Sequence, residues 1–168
     1  MSLSMYEASV PCLVRMLDNL RVILGKGAAH ADAAKIDPVV LTGDRLFPDM
    51  FPLTRQVQIA TDMAKGCVAR LAGGEPPSYE DTETTFAELI ERIEKVQAYI
   101  KSFNPAQIDG SEQRAIVLKI RGNEVRFTGQ AYLLHFVMPN VHFHITTAYN
   151  ILRHNGVVLG KLDFLGTP

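Results

Sequence analysis

Residues 51–74 read FPLTRQVQIATDMAKGCVARLAGG, and this stretch decides the fold. Its apolar positions Leu53, Val57, Ala60, Ala64, Cys67 and Leu71 recur at alternating steps of four and three, the period of one helix face. Pro52 opens the run and Gly73-Gly74 closes it, so the spacing predicts a helix of about five turns. The small side chains of Ala60 and Ala64 permit close approach of a neighbouring helix, with Cys67 as an apolar filler on the same face. Gly66 costs about 1 kcal/mol relative to Ala in an exposed helix interior; it reads here as packing room.

A helix with one narrow apolar stripe needs partners, and three more stripes supply them. Val10, Leu13, Leu17, Leu20 and Leu24 predict a first helix with Pro11 near its start and Gly25 and Gly27 at its end. Phe86, Leu89, Ile90, Ile93, Val96 and Ile100 predict another, opened by a Thr85/Glu88 capping box, with Glu91, Arg92, Glu94 and Lys95 on its outer face. Val141, Ile145, Ala148 and Leu152 predict the last, starting near Pro139-Asn140 and stopping around His154-Asn155-Gly156. The long first connection, Ala28 to Met50, carries an Ala-rich helical candidate and an Asp37-Pro38 helix start. From Ala115 the period changes to two. Ile116, Leu118 and Ile120, a turn at Gly122-Asn123, then Val125 and Phe127, make a β-hairpin that needs other elements to lie on. The apolar tail VVLGKLDFLG is expected to pack back on the helices or on a second copy. Together these elements predict an all-α fold, an antiparallel four-helix bundle in one domain over residues 1–168, with the hairpin between the third and fourth long helices.

Composition bounds the function. The chain has 168 residues, 47% hydrophobic and 21% charged, with a net charge of -1 and no basic block, which argues against nucleic acid as a partner. No apolar run of membrane-spanning length and no secretory signal is expected, which points to a cytoplasmic protein. Cys12 and Cys67 form no CxxC pair and indicate neither a zinc knuckle nor a disulfide framework.

The sharpest chemical feature is HFH at residues 142–144. On a helix His142 and His144 lie about 200° apart, so only one faces inward, and the stripe assigns that position to His144. A helical metal pair takes histidines at i and i+4. Four residues beyond His144 stands Ala148, and four beyond His142 stands Thr146. On the helix of residues 53–71, Gln56 lies about 40° from Ala60 and borders the inner stripe, where it can meet His144, whereas Asp62 points away and reads as solvated. Paired E-x-x-H motifs of a di-iron bundle, GxSxG, a P-loop and GxGxxG do not occur. Arg153 and His154 read as a solvated pair at a helix end.

Three stretches, FPDMFPLTRQVQIATDMAKGCVARLAG (47–73), DTETTFAELIERI (81–93) and MPNVHFHITTAYNILRHNGVVLGKLDFLG (138–166), carry a resemblance over nearly the whole chain. They resemble a bacterial domain-of-unknown-function family in the DinB/YfiT-like metalloenzyme superfamily. The resemblance implies a four-helix bundle of up-down-up-down type, with the long connection between helices one and two, and a homodimer. Better-studied superfamily members hold a divalent metal with one histidine from the second helix and two, four apart, from the fourth; some are thiol-dependent transferases or hydrolases. Carried over residue by residue, His144 matches a fourth-helix ligand, Ala148 stands in its partner's place, and Gln56 is near the second-helix position. Zinc or nickel would therefore have His144 alone, because an amide oxygen is a weak ligand for either ion. The expectation is a dimeric bundle with a degenerate metal pocket at His144 and Gln56, binding a small molecule or serving as structure. The alternative is a metal-dependent thiol-transferase or hydrolase.

Overall fold

The computed structural model describes residues 3–166. Its long elements are helices α1 (Met5–Ala34), α3 (Leu53–Leu71), α4 (Phe86–Lys101) and α7 (Met138–His154). Short helices α2 (Pro38–Thr42), α5 (Pro105–Ile108), α6 (Gly129–Ala131) and α8 (Lys161–Leu165) fill the connections, with strands β1 (Ala115–Ile120) and β2 (Asn123–Thr128) before α6. The long helices pack α1 on α4, α3 on α4 and α3 on α7, around Leu13, Leu17, Leu20, Ile93 and Ile145, all fully buried. The architecture is mostly helical with one two-stranded antiparallel hairpin.

Several elements start where local chemistry dictates. Asp37 accepts from the Val39 N–H to cap α2, with Pro38 in its first turn. Helix α4 opens on the Thr85/Glu88 capping box, and the backbone N–H groups of Thr84 and Thr85 hold the Glu88 carboxyl down at about 2.

Three boundaries differ from the sequence reading. Helix α1 does not stop at Gly25 or Gly27 but absorbs the Ala-rich segment and ends at Lys35, whose φ of 55° is left-handed. Gly27 is a contact rather than a terminus, since a Cβ there would sit 3.0 Å from the Phe86 ring and 3.1 Å from Leu152. The connection to α3 is correspondingly shorter. The hairpin turn is Arg121-Gly122, not Gly122-Asn123: Ile120 pairs with Asn123, and both turn residues have the positive φ a type I′ turn demands. The last helical run begins at Gly129, ten residues before Pro139, and passes through a π-helical segment, Tyr132–Val137. Pro139 lacks the N–H that α geometry would aim at the His135 carbonyl, and the widened turn accommodates that gap. Asn140 Nδ2 donates to the Phe136 carbonyl alongside.

The π segment also seats the hairpin. Phe127 of β2 packs against Tyr132 at 5.9 Å and Phe136 at 5.3 Å between ring centroids. The tail folds back on α1, with Asn19 Nδ2 donating to the Phe164 carbonyl at 2.8 Å and Lys26 pairing with Asp163 at 2.6 Å. Tyr149 reaches this tail, its hydroxyl 3.4 Å from the Leu159 carbonyl.

Candidate functional site

Gln56 lies one turn into α3 and His144 in the middle of α7, on flanks of two helices that pack together. Their side chains meet with His144 Nδ1 2.7 Å from Gln56 Oε1. Gln56 Nε2 donates to the Phe51 carbonyl at 2.9 Å, which orients the amide with its oxygen toward the imidazole. The ring therefore donates from Nδ1, and a neutral ring then carries a lone pair on Nε2. Among the described residues Nε2 has no hydrogen-bond partner, yet Ser111 Oγ is the only sealed unpartnered side-chain atom, so Nε2 reaches solvent. His144 is 8% exposed and Gln56 2%.

Electrostatics keep the ring neutral. Burial holds the His144 pKa below its ordinary value, and the Arg55 guanidinium lowers it further. The unfolded chain then binds the proton more readily than the folded one. His144 contributes its full stability above the ordinary histidine range, about pH 6.5, and loses it as pH falls from there toward the depressed folded value. In the His144→Asn variant, the fall in unfolding free energy measured by urea titration between pH 7 and 5 should be smaller than in the wild type. Equal falls would contradict a neutral buried ring.

The remaining histidines stay apart. His142 and His135 are exposed, and His30 lies beside Gly156. Buried Ala148 presents a methyl group four residues after His144. The residues present do not fit the superfamily's divalent metal. His144 Nδ1 is committed to Gln56, and no group of three His, Cys, Asp or Glu side chains among the described residues could hold an ion. Cys67 is fully buried and its thiol is pushed far up by desolvation, which removes it as a nucleophile at neutral pH.

Arg92 does not lie on an outer face, and Asp62, although 35% exposed, is drawn into a charge network. Arg92 is 3% exposed and is the hub joining α3, α4 and the connection of residues 72–85. Its Nε donates to Thr61 Oγ1 at 2.9 Å, its Nη1 to both Glu83 oxygens at 3.0 and 3.1 Å, and its Nη2 to Asp62 at 2.9 Å, with Asp81 3.0 Å away. Asp62 also pairs with buried Lys65 at 3.0 Å. Arg55, the cation that acts on His144, joins this network through Asp81 and Gln58. A signal for Arg92 was present: it lies about 60° from Leu89, on the flank of the buried stripe.

With this geometry in view, comparison with known proteins becomes specific. The model of a domain of unknown function, DUF1993, matches residues 5–165. The chain belongs to the DUF1993 family. It is also similar to a DinB family member protein from Shewanella denitrificans, whose crystal structure was determined at 1.83 Å resolution. The two share 43% identity with a TM-score of 0.87, over 97% of this chain and 92% of that one. No curated protein matches. This DUF1993 chain is thus DinB-like in sequence and in fold, and its His144–Gln56 pair lies within the region the family shares.

Proposed function

We propose that this DUF1993 chain is a single-domain, antiparallel up-down-up-down four-helix bundle that works as a cytoplasmic homodimer. In this reading the pocket at His144 and Gln56 binds a small polar molecule without a metal. The observation that carries it is the Phe51–Gln56–His144 chain of hydrogen bonds, which makes Nδ1 the donor and, in the neutral ring that burial favours, leaves Nε2 unprotonated and open to solvent. Such a nitrogen accepts a hydrogen bond from an O–H or N–H of a ligand. Phe143 meets the imidazole edge-on with ring centroids 5.2 Å apart, and the Arg55 guanidinium lies over the ring of Phe51, whose carbonyl holds Gln56. The dimer is supported by the tail, which buries Val157 and Leu159 but leaves Val158 and Leu162 85% and 76% exposed.

Metal analysis of untagged protein grown with zinc and nickel tests the pocket. The expected result is no stoichiometric ion and no rise in thermal stability on adding either. A stoichiometric ion that is lost in His144→Ala would overturn this reading in favour of a metal-dependent thiol-transferase or hydrolase. Light scattering at micromolar concentration should give the mass of a dimer; a monomer would remove that part of the proposal.

A further inference from the structure

A second site stands at the other end of α3. Arg70 is fourteen residues beyond Gln56, about 21 Å along the helix axis. It lines a cleft of about 350 Å³ together with Arg114, the Gly73-Gly74 turn, Glu75 and the first half of β1, whose outer edge has no strand neighbour. We propose that this cleft binds the oxyanion group of a small molecule, a carboxylate or a phosphate, between the Arg70 and Arg114 guanidinium groups.

Both arginines are held in place, and both keep donors free. Arg70 Nη1 donates to Tyr132 Oη at 3.0 Å, and Arg114 Nη1 donates to the Leu71 carbonyl at the end of α3. Those are neutral acceptors, and neither guanidinium has a carboxylate within ion-pair distance among the described residues. The Nε and Nη2 groups of each therefore remain available in one cleft. Two glycines make the arrangement possible. A Cβ on Gly66 would sit 2.4 Å from Arg70 Nη1, and one on Gly73 would sit 3.0 Å from Arg114 Nη1. The helix-interior glycine thus clears the path by which Arg70 folds back across α3 to Tyr132. Burial keeps that tyrosine a neutral phenol, with its pKa pushed up to about 12, so it orients the arginine without neutralising it. A planar guanidinium matches carboxylate and phosphate oxygens two at a time, and two such groups in one concave site leave a net positive field. Glu75 opposes that field from the wall of the same cleft.

Calorimetric titration of the full chain at low salt, with inorganic phosphate and separately with succinate, tests the site. At least one probe should bind saturably at one per chain, and which one binds tells phosphate from carboxylate chemistry. Arg70→Gln should weaken that binding about tenfold or more. Gly66→Ala keeps both arginines and gains helix propensity, yet it displaces the Arg70 guanidinium and should weaken binding comparably in a folded protein. Glu75→Gln should tighten binding, and Arg121→Gln on the hairpin turn should leave it unchanged. The proposal is overturned by the absence of saturable binding of either probe at millimolar concentration. Wild-type affinity in both Arg70→Gln and Gly66→Ala would overturn it too, as would an equal loss in Arg121→Gln.

Discussion

Replacing Arg92 with alanine is expected to destabilise the protein by about 3 kcal/mol and to lower its melting temperature by about 10 °C. The guanidinium is 3% exposed and meets three carboxylates, those of Asp62, Asp81 and Glu83, drawn from two separate segments of chain. Its removal leaves Glu83 without a cation and Asp62 and Asp81 with only Lys65 and Arg55, around a cavity, with Thr61 Oγ1 deprived of its donor. The Asp62 and Asp81 side chains are 35% and 36% exposed, so water screens part of the repulsion and the cost falls at the low end of the range for broken buried pairs. Arg92→Lys should recover only part of the loss, because an ammonium cannot reproduce the fork that engages Glu83 and Asp62 together. Added salt should narrow the gap between Arg92→Ala and wild type by screening the exposed carboxylates. Thermal unfolding at two ionic strengths measures all of this; a deficit below about 1 kcal/mol at low salt would show that the network is dispensable. The same variant should reach the His144 pocket, because Arg55 is held through Asp81, a partner it shares with Arg92.

The Arg92 hub also shows where pattern reading reaches its limit. Hydrophobic period locates α3 and α4 because their buried stripes are regular, and it assigns charged residues outward by default. The carboxylates that draw Arg92 inward lie partly in the 72–85 connection, where Asp81 and Glu83 have no period to reveal them. Angular position does bring Gln56 and His144 to the inner flanks of their helices. It does not reveal that the Phe51 carbonyl orients the amide or that Arg55 acts on the ring. The two helix-boundary errors share one cause. Gly25 and Gly27 in α1, and Pro139 in the last helical run, are residues that end helices in isolation. Here packing of Gly27 against Phe86 and Leu152, and a π turn ahead of the proline, let the helices continue.

Glycines in this chain are best judged by what lies beside them, and Gly129 gives the sharpest case. Gly129→Ala is expected to cost at least about 3 kcal/mol, as large as the loss of Arg92. An added Cβ would sit 2.0 Å from the Ser111 carbonyl oxygen and 3.0 Å from its carbon, a backbone contact that no rotamer change relieves. Ser111 is fully buried, and its carbonyl already accepts from the Arg114 N–H at 3.0 Å, while Gln130 N donates to the Glu112 carbonyl at 3.0 Å. The 111–114 segment and the start of α6 are therefore locked together, and one must move to admit a methyl group. Gly25→Ala is the matched control. Gly25 is exposed in α1 with nothing within 4 Å of an added Cβ, so alanine there should stabilise by about 0.5–1 kcal/mol. Opposite signs for two identical substitutions, read by urea unfolding, are the expected outcome. A movement of the 111–114 segment also disturbs Arg114, which donates to the Leu71 carbonyl, so Gly129→Ala should weaken oxyanion binding in the second cleft as well. If Gly129→Ala proves neutral, the Ser111 contact is looser than described and the seating of Arg114 is loosened with it.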